Sequence, residues 1–181
     1  MNKTILYWRR TDVTGLERLE IDVAPDAVIA RGSVICLEGG GFRLDHHWRL
    51  TSGWRTMELR VERWNAAGHA VLHLERSRDG WTVDGMWRPD LDGAEEPDLS
   101  VTPFCNTLPI RRTESSLTLD TAFVDGATLM VGRSRQRYDR LEADRLRYVD
   151  LGLSAGFEAE LKVDDMGLVL RYEHLFERVV P

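Results

Sequence analysis

The sequence lacks the features that mark secreted, disulfide-stapled and membrane-spanning proteins. It has only two cysteines among 181 residues, Cys36 and Cys105, which is typical of a reduced chain with free thiols. A disulfide between them depends on geometry that the sequence alone does not give. No hydrophobic run approaches the ~20 residues that a membrane-spanning helix needs. The short apolar run at residues 4–8 ends at Arg9, too early for the core of a signal peptide. These absences predict a cytoplasmic protein without a membrane-spanning segment.

An excess of positive charge is also missing. The chain has 24 Lys and Arg against 30 Asp and Glu, a net charge of −6. Nucleic-acid-binding domains carry a basic field, so the composition predicts no nucleic-acid partner. The span Arg133–Arg147 is rich in arginine, but Asp139, Glu142 and Asp144 are mixed into it. Cross-strand ion pairs on a solvated sheet face account for this mixture, and anionic head groups are the alternative partner.

Signatures of catalysis and of metal binding are scarce. No Gly-x-Ser-x-Gly elbow occurs, which excludes an ordinary α/β-hydrolase. The glycine-rich Glu38–Phe42 lacks the Lys and Ser/Thr of a phosphate-binding loop. His69 and His73 lie on a predicted strand, where four residues span ~13 Å, too far to share one metal ion. The sequence therefore predicts no metal, no cofactor and no defined catalytic residue.

Alternation of apolar and polar residues is abundant. Phe157–Asp164 places its apolar residues on one face and its charges on the other, as in a half-buried antiparallel strand. Turn residues then lead into a second strand at Leu168–Tyr172, and another hairpin is predicted about Ala143. Many short strands joined by tight turns predict a mainly β fold. We expect a single curled antiparallel sheet in meander order, a spiral roll or half-barrel, with residues 1–181 as a single domain.

Helix is predicted to be a minority. The candidate helices are Thr11–Arg18, Pro103–Leu108 and Ala122–Gly132. No helix is expected to run through Pro109, because proline interrupts a helix interior. The acidic stretch Pro89–Pro97 predicts a surface loop.

The segment Asp98–Arg112 fits neither strand alternation nor a helical stripe. Its two prolines, Pro103 and Pro109, remove backbone donors and stiffen the chain. Stiff, partly apolar departures of this kind often lie where a scaffold meets a ligand. Alternatively, Asn106 and Thr107 brace a turn through side-chain hydrogen bonds. The segment is therefore predicted to serve either binding or folding.

The same segment carries a family resemblance. Its core reads Thr-Pro-Phe-Cys-Asn-Thr-Leu-Pro-Ile-Arg over residues 102–111. Further matching motifs are Trp81, Asp84-Gly85, Leu91-Asp92-Gly93, Gln136-Arg137-Tyr138, Tyr148, Gly167-Leu168-Val169 and Tyr172. On these motifs the chain resembles the bacterial putative glycolipid-binding family, with Cys105 standing where Thr is more usual. The resemblance implies a roll or half-barrel similar to lipid-carrying lipoproteins of the bacterial envelope, and a lipid or glycolipid ligand.

Resemblance and pattern together predict non-enzymatic lipid or glycolipid binding in an apolar groove of the curled sheet. The acyl part would contact apolar side chains, and a sugar or phosphate head group would contact Arg111 and Asn106. The predicted ligand-binding residues are aromatic and polar side chains, namely Trp81, Trp87, Thr102, Phe104, Asn106, Thr107, Arg111, Tyr138 and Tyr148. For the strand aromatics, the alternative is a filled core.

Two other functions are compatible with the sequence. A small-molecule hydrolase would use Asp92, Asp98 or Cys105, and it predicts a deep polar pocket with converging carboxylates. A protein-interaction module would have no small ligand and predicts an exposed apolar patch. The expected assembly is a monomer or a weak homodimer.

Overall fold

Fifteen β-strands form one continuous sheet in the computed structural model, which describes residues 2–180. Within this range there is one α-helix, α1 (Phe104–Ile110), and short 3-10 turns occupy Glu38–Gly40 and Pro89–Leu91. In chain order the strands are β1 (Asn2–Arg10), β2 (Gly15–Val23), β3 (Ala27–Cys36), β4 (Phe42–Thr51), β5 (Thr56–Asn65), β6 (Gly68–Ser77), β7 (Gly80–Val83), β8 (Met86–Trp87), β9 (Ala94–Leu99), β10 (Ser116–Val124), β11 (Val131–Glu142), β12 (Arg145–Asp150), β13 (Glu158–Val163), β14 (Val169–Tyr172) and β15 (Phe176–Val179). The predicted mainly β fold with few short helices is confirmed.

The sheet consists of two meanders joined through the first and last strands of the chain. Strands β1 to β8 follow one another on one side of this junction, and β15 back to β9 follow on the other. β1 pairs antiparallel with both β2 and β15, so that Leu6 faces Leu19 and Tyr7 faces Val179. The end pair, β9 and β10, is parallel, because the chain between these strands crosses back through α1. The predicted antiparallel meander order holds from β1 to β8 and from β10 to β15, and the parallel β9–β10 pair is the exception.

Alternation along the strands explains the curl of the sheet. On β4 every second residue is buried, in the order Phe42, Leu44, His46, Trp48 and Leu50. On β13 the buried positions are Ala159, Leu161 and Val163. A sheet with one apolar face must curl to remove that face from water. The buried side chains form a single cluster inside the roll.

Hydrogen bonds connect the end strand β9 to β5 on the opposite side of the roll. The N–H of Thr56 donates to Glu96 Oε2 at 3.0 Å, and the carbonyl of Thr56 accepts from Arg76 Nε at 2.9 Å. Arg76 also donates to the carbonyl of Glu95, and its guanidinium lies 4.4 Å from the centre of the Trp81 ring. These contacts hold the sheet in its curled form although β8 and β9 do not pair.

Arg76→Ala is expected to lower the free energy of unfolding by about 2 kcal/mol, because it removes the hydrogen bonds that Arg76 donates to the carbonyls of Thr56 and Glu95 and the packing of its guanidinium on Trp81. Urea unfolding followed by tryptophan fluorescence gives the change. Arg78→Ala, on the exposed turn of the same hairpin, is the matched control, with an expected effect within about 0.5 kcal/mol. Equal losses in the two variants would contradict this role for Arg76.

Helix α1 fills much of the concave side of the sheet. All seven of its residues are buried. Phe104 packs edge-on against Trp48, with ring centres 5.5 Å apart, and lies 6.4 Å from the ring of Trp54. The concave face is therefore mostly packed core rather than an open groove along its length. Within residues 2–180, no helix combines the length and apolar character needed to cross a bilayer.

Four local predictions are wrong. Thr11–Arg18 forms a bend and the start of β2, and Ala122–Gly132 forms the end of β10, a turn and the start of β11, because strand pairing overrides weak local helix patterns. Helix α1 continues through Pro109, since a proline near the end of so short a helix removes only one backbone hydrogen bond. The predicted loop Pro89–Pro97 includes part of β9, where Pro97 is tolerated on the end strand of the sheet.

Candidate functional site

A cavity of about 260 Å³ lies between the N-terminal part of α1 and strands β9, β12, β14 and β15. Its walls come from residues far apart in the chain: Arg10, Asp98, Leu99, Ser100, Thr102, Cys105, Asn106, Phe123, Tyr148, Asp150, Ser154, Phe157, Tyr172, Leu175 and Phe176. Pockets that bury drug-sized ligands have volumes of ~300–1,000 Å³. This cavity therefore has room for one small chemical group and not for a whole lipid.

Asp98, on β9, anchors a chain of hydrogen bonds in the cavity wall. The Cys105 thiol donates to Asp98 Oδ1 at 3.0 Å, and the Gln136 amide donates to Asp98 Oδ2. The Tyr138 hydroxyl lies 2.8 Å from Asn106 Oδ1 and 3.2 Å from Gln136 Oε1, and its one proton goes to the nearer oxygen. Each oxygen of Asp98 keeps a lone pair, so the carboxyl group is able to accept a further hydrogen bond from a ligand.

Burial sets the protonation of these groups. Burial and the nearby charge of Asp150 raise the pKa of Asp98, although the bonds from Cys105 and Gln136 act in the opposite direction. Burial, reinforced by the charge of Asp98, raises the pKa of the Cys105 thiol well above its ordinary value. Cys105 is therefore a neutral S–H donor, and a buried thiol of this kind is a poor nucleophile.

A second carboxylate, Asp150 at the end of β12, lines the same cavity. Its Oδ1 accepts the backbone N–H groups of Gly152 at 2.8 Å and Ser154 at 3.1 Å. Its Oδ2 accepts the hydroxyl of Tyr148 at 3.2 Å. Burial raises the pKa of Tyr148, so this hydroxyl keeps its proton. These bonds fix Asp150 and shape the loop that follows β12, and Oδ2 keeps acceptor capacity for a ligand.

The hydroxyl of Tyr172 has no hydrogen-bond partner among residues 2–180. Tyr172 lies on β14, lines the cavity and is only 6% exposed. Burial raises its pKa, and the charges of Asp98 and Asp150 add to this effect, so the hydroxyl is neutral. Although the residue as a whole is nearly buried, its hydroxyl oxygen stays accessible at the cavity. A ligand atom is therefore able to bond to this hydroxyl without displacing a protein partner.

Four aromatic rings form the apolar wall of the cavity, from Tyr148, Phe157, Tyr172 and Phe176. The ring centres are 6.1 Å apart for Tyr148 and Phe157, 6.4 Å for Phe157 and Tyr172, and 6.2 Å for Tyr172 and Phe176, all with tilted planes. Such separations and tilts are those of favourable aromatic pairs. The wall is therefore held by its own packing.

Arg10 is the one cation among the residues that line the cavity. It donates to Asp12 Oδ1 at 2.9 Å and to Glu38 Oε2 at 2.6 Å. Burial acts to lower the pKa of Arg10, but the two carboxylates outweigh burial and raise it. Because two acids already share this guanidinium, Arg10 does not compensate the charge of Asp98 and Asp150.

The cavity brings together some of the predicted ligand-binding residues. Thr102, Asn106 and Tyr148 line it, and Tyr138 lies directly behind Asn106 through their 2.8 Å hydrogen bond. These four residues come from the irregular segment and from two strands that pair with each other. Asn106 and Tyr138 share a chain of hydrogen bonds with Asp98 and Gln136. Thr102 joins this chain through its carbonyl, which accepts from the Cys105 thiol, whereas Tyr148 bonds to Asp150.

The other predicted residues lie outside this cavity. Trp81, Phe104 and Thr107 are buried in the core. Trp87, on β8, is 58% exposed at the edge of the sheet. Arg111, at the C-terminal end of α1, stacks on Trp54 with 4.3 Å to the ring centre and donates to the carbonyl of Met166 at 2.6 Å. The structure thus separates Arg111 from Asn106.

Thr102 also belongs to a buried network on the inner face of β2 and β4. Glu17 Oε1 accepts from the Thr102 hydroxyl at 2.8 Å and from His46 Nε2 at 2.9 Å. Trp48 Nε1, which is only a donor, bonds to His46 Nδ1 at 2.8 Å. His46 is therefore the neutral tautomer with its proton on Nε2. Thr102 in turn accepts the N–H of Phe104 at 3.1 Å, so the network positions the start of α1.

Sequence reasoning missed several cavity residues, above all Asp150, Phe157, Tyr172 and Phe176. Phe157 was recognisable only as a strand position of a hairpin, and Tyr172 as a strand position and as part of the family resemblance. No local signal predicts that these side chains meet Asp98, because the contact forms only when the two meanders curl around α1. The predicted residues Trp81 and Trp87 lie elsewhere, and no tryptophan lines this cavity.

Comparison with known proteins places the chain in a family. The family model described as Putative glycolipid-binding matches residues 5–178. The crystal structure of a DUF1089 family protein from Pseudomonas aeruginosa is similar, with a TM-score of 0.79 and 30% identity over 90% of this chain and 92% of that chain. No functionally curated protein matches the chain. With nearly its whole length matched, the chain belongs to the putative glycolipid-binding family.

Proposed function

We propose that this protein binds a lipid or glycolipid without altering it chemically, with the head group in the cavity beside α1. The observation that carries the proposal is the cavity itself, which joins an aromatic wall to polar groups with unused hydrogen-bonding capacity. Sites for small ligands have this composition, mostly apolar with a few placed polar groups. The family description supports a glycolipid as the ligand.

In this proposal the acyl chains stay outside the core, because α1 occupies the concave side of the sheet. The loop after β12 offers them an apolar surface next to the cavity. Leu151 and Leu153 are 42% and 61% exposed there, beside Ser154, which lines the cavity. The head group would contact the Asn106 end of α1 and not Arg111.

Native mass spectrometry tests the proposal on protein purified from a bacterial host and then incubated with a total lipid extract. We expect a bound lipid or glycolipid at one molecule per chain. Ser154→Trp, which places a bulky ring at the cavity, should abolish the adduct, whereas Ser115→Trp at another exposed serine should retain it. A clean unliganded mass after incubation, or equal adducts in both variants, would refute binding at this cavity.

A hydrolase is the second candidate function, favoured by Asp98 and Asp150 in one cavity. Hydrolases often use two carboxyl groups, of which the one with the raised pKa acts as the general acid. Asp98, with its raised pKa beside the carboxyl group of Asp150, fits the role of that acid. Asp92 is exposed and does not line the cavity, and Cys105 is held as a thiol. The hydrolase predicts turnover of p-nitrophenyl glycosides or esters that Asp98→Asn abolishes. Turnover that Asp98→Asn leaves intact would exclude it.

A further inference from the structure

The charge balance of the cavity points to a particular kind of head group. Two carboxyl groups, Asp98 and Asp150, line the cavity, while its one cationic lining residue, Arg10, is shared by Asp12 and Glu38. Buried charges in proteins are normally paired, because an unpaired charge is costly to remove from water. The two carboxyl groups therefore lack a counter-charge of their own.

The remaining wall suits the missing counter-charge. The rings of Tyr148, Phe157, Tyr172 and Phe176 surround the same space. Aromatic faces attract cations through the ring quadrupole, and this attraction strengthens when the cation is desolvated. Carboxyl groups and aromatic rings in one half-open cavity are thus complementary to a positive charge and repel a phosphate or carboxylate.

Tyr172 adds an independent observation. The residue is only 6% exposed and lines the cavity, and its hydroxyl, which stays accessible there, has no hydrogen-bond partner among the described residues. A neutral phenol is able to accept one N–H bond and to donate its own proton to a neighbouring ligand oxygen. An ammonium group with a hydroxyl on the adjacent carbon would use both capacities at once.

Resting on the proposed function, we infer that the head group bound in this cavity carries a protonated amine, held by Asp98, Asp150 and the Tyr172 hydroxyl against the aromatic wall. An amino sugar and an alkanolamine both supply this chemistry. Burial raises the pKa of Asp98, and a cation bound beside this carboxyl group would act in the opposite direction.

Titration of the isotopically labelled protein by NMR at pH 7 tests the inference with three small probes. N-Acetylglucosamine lacks the positive charge of glucosamine and is larger by one acetyl group, and ethanolamine carries the amine without the sugar ring. We expect glucosamine to bind at least 10-fold more tightly than N-acetylglucosamine. Ethanolamine binding as tightly as glucosamine would support an alkanolamine source, and weaker ethanolamine binding would support an amino sugar.

Tyr172→Phe gives the most specific test, because the substitution removes a hydroxyl without breaking any hydrogen bond among the described residues. We expect glucosamine to bind about 5- to 10-fold more weakly, with unchanged urea unfolding. Tyr7→Phe, outside the cavity, is the matched control and should bind as the parent does. Equal weakening in both variants would overturn the role of Tyr172.

The outcomes separate this inference from the proposed function. N-Acetylglucosamine binding as tightly as glucosamine overturns the requirement for an amine but leaves head-group binding in place. Lipid adducts in native mass spectra without binding of any of the three probes likewise overturn the inference alone. Absence of both lipid adducts and probe binding overturns both.

Discussion

Gly32→Ala is expected to lower the free energy of unfolding by at least about 3 kcal/mol, a large loss for one methyl group. Gly32 on β3 faces His46 on β4, whose imidazole ring lies directly over it. A Cβ at position 32 would overlap Nε2 and Cε1 of His46 and lie 2.9 Å from Cδ2. The ring must therefore leave its place between Glu17 and Trp48.

Displacing His46 damages more than local packing. Glu17 is only 2% exposed, and its Oε2 already lacks a partner among the described residues. Loss of the His46 bond would leave this carboxylate with the Thr102 hydroxyl alone. A buried charge that loses its partner is among the costliest changes that a folded protein undergoes. Because Thr102 also accepts the Phe104 N–H, the start of α1 and the cavity wall should shift with it.

Urea unfolding of Gly32→Ala against Gly132→Ala measures this effect. A Cβ at Gly132 on β11 meets no atom within 4 Å, so that substitution should change stability by no more than about 0.5–1 kcal/mol, in the stabilising direction. The indole N–H resonance of Trp48 provides a second readout, since only Gly32→Ala should shift it. Equal unfolding midpoints and an unshifted indole signal would show that His46 relaxes without cost.

The importance of Gly32 illustrates where sequence reasoning succeeds and where it fails. Alternation at Phe157–Asp164 predicts a strand because inward and outward positions depend only on neighbouring residues. Gly32 interrupts a strand pattern and signals a close approach, but the approaching ring belongs to another strand. Its identity follows only from the register between β3 and β4.

The candidate site shows the same division. Asn106 and Thr102 were predicted because the irregular segment is visible locally, and the structure brings both to the cavity. Arg10 and Tyr172 lie 162 positions apart in the sequence, and they share the cavity because β1 pairs with β15. No local sequence pattern predicts that β1 pairs with β15. The acidic and aromatic character of the cavity is therefore visible only in the folded structure.

Asp98→Asn is expected to change stability and binding in opposite directions. Burial raises the pKa of Asp98 above its unfolded value, so the native state holds this proton in a pH range where the unfolded state releases it. Stability due to Asp98 is therefore complete below about pH 4, the unfolded pKa, and is lost as pH rises through the native pKa. Asparagine does not ionise, so the variant should gain about 0.5–2 kcal/mol over the parent at pH 8.

The local hydrogen bonds are compatible with this substitution. The asparagine oxygen would still accept from Cys105, and a flip of the Gln136 amide would present its oxygen to the new NH₂ group. Gln136 would then accept from position 98 and donate to the Tyr138 hydroxyl, which bonds onward to Asn106. No buried polar group is left without a partner, so the variant should fold.

Binding should suffer in the same variant, because an amine loses one of its two carboxyl partners. Charge-assisted hydrogen bonds contribute ~1.5–3 kcal/mol, which corresponds to a loss of roughly 10- to 150-fold in glucosamine affinity. Urea unfolding between pH 4 and 8 and NMR titration at pH 7 provide the two measurements. A gain in stability with a loss of binding identifies Asp98 as a residue retained for its ligand. A loss of stability that persists at pH 8 would instead show that Asp98 is a structural brace for Cys105 and Gln136. In that case the hydrogen bonds of the carboxyl group would stabilise the fold by more than its ionisation destabilises it.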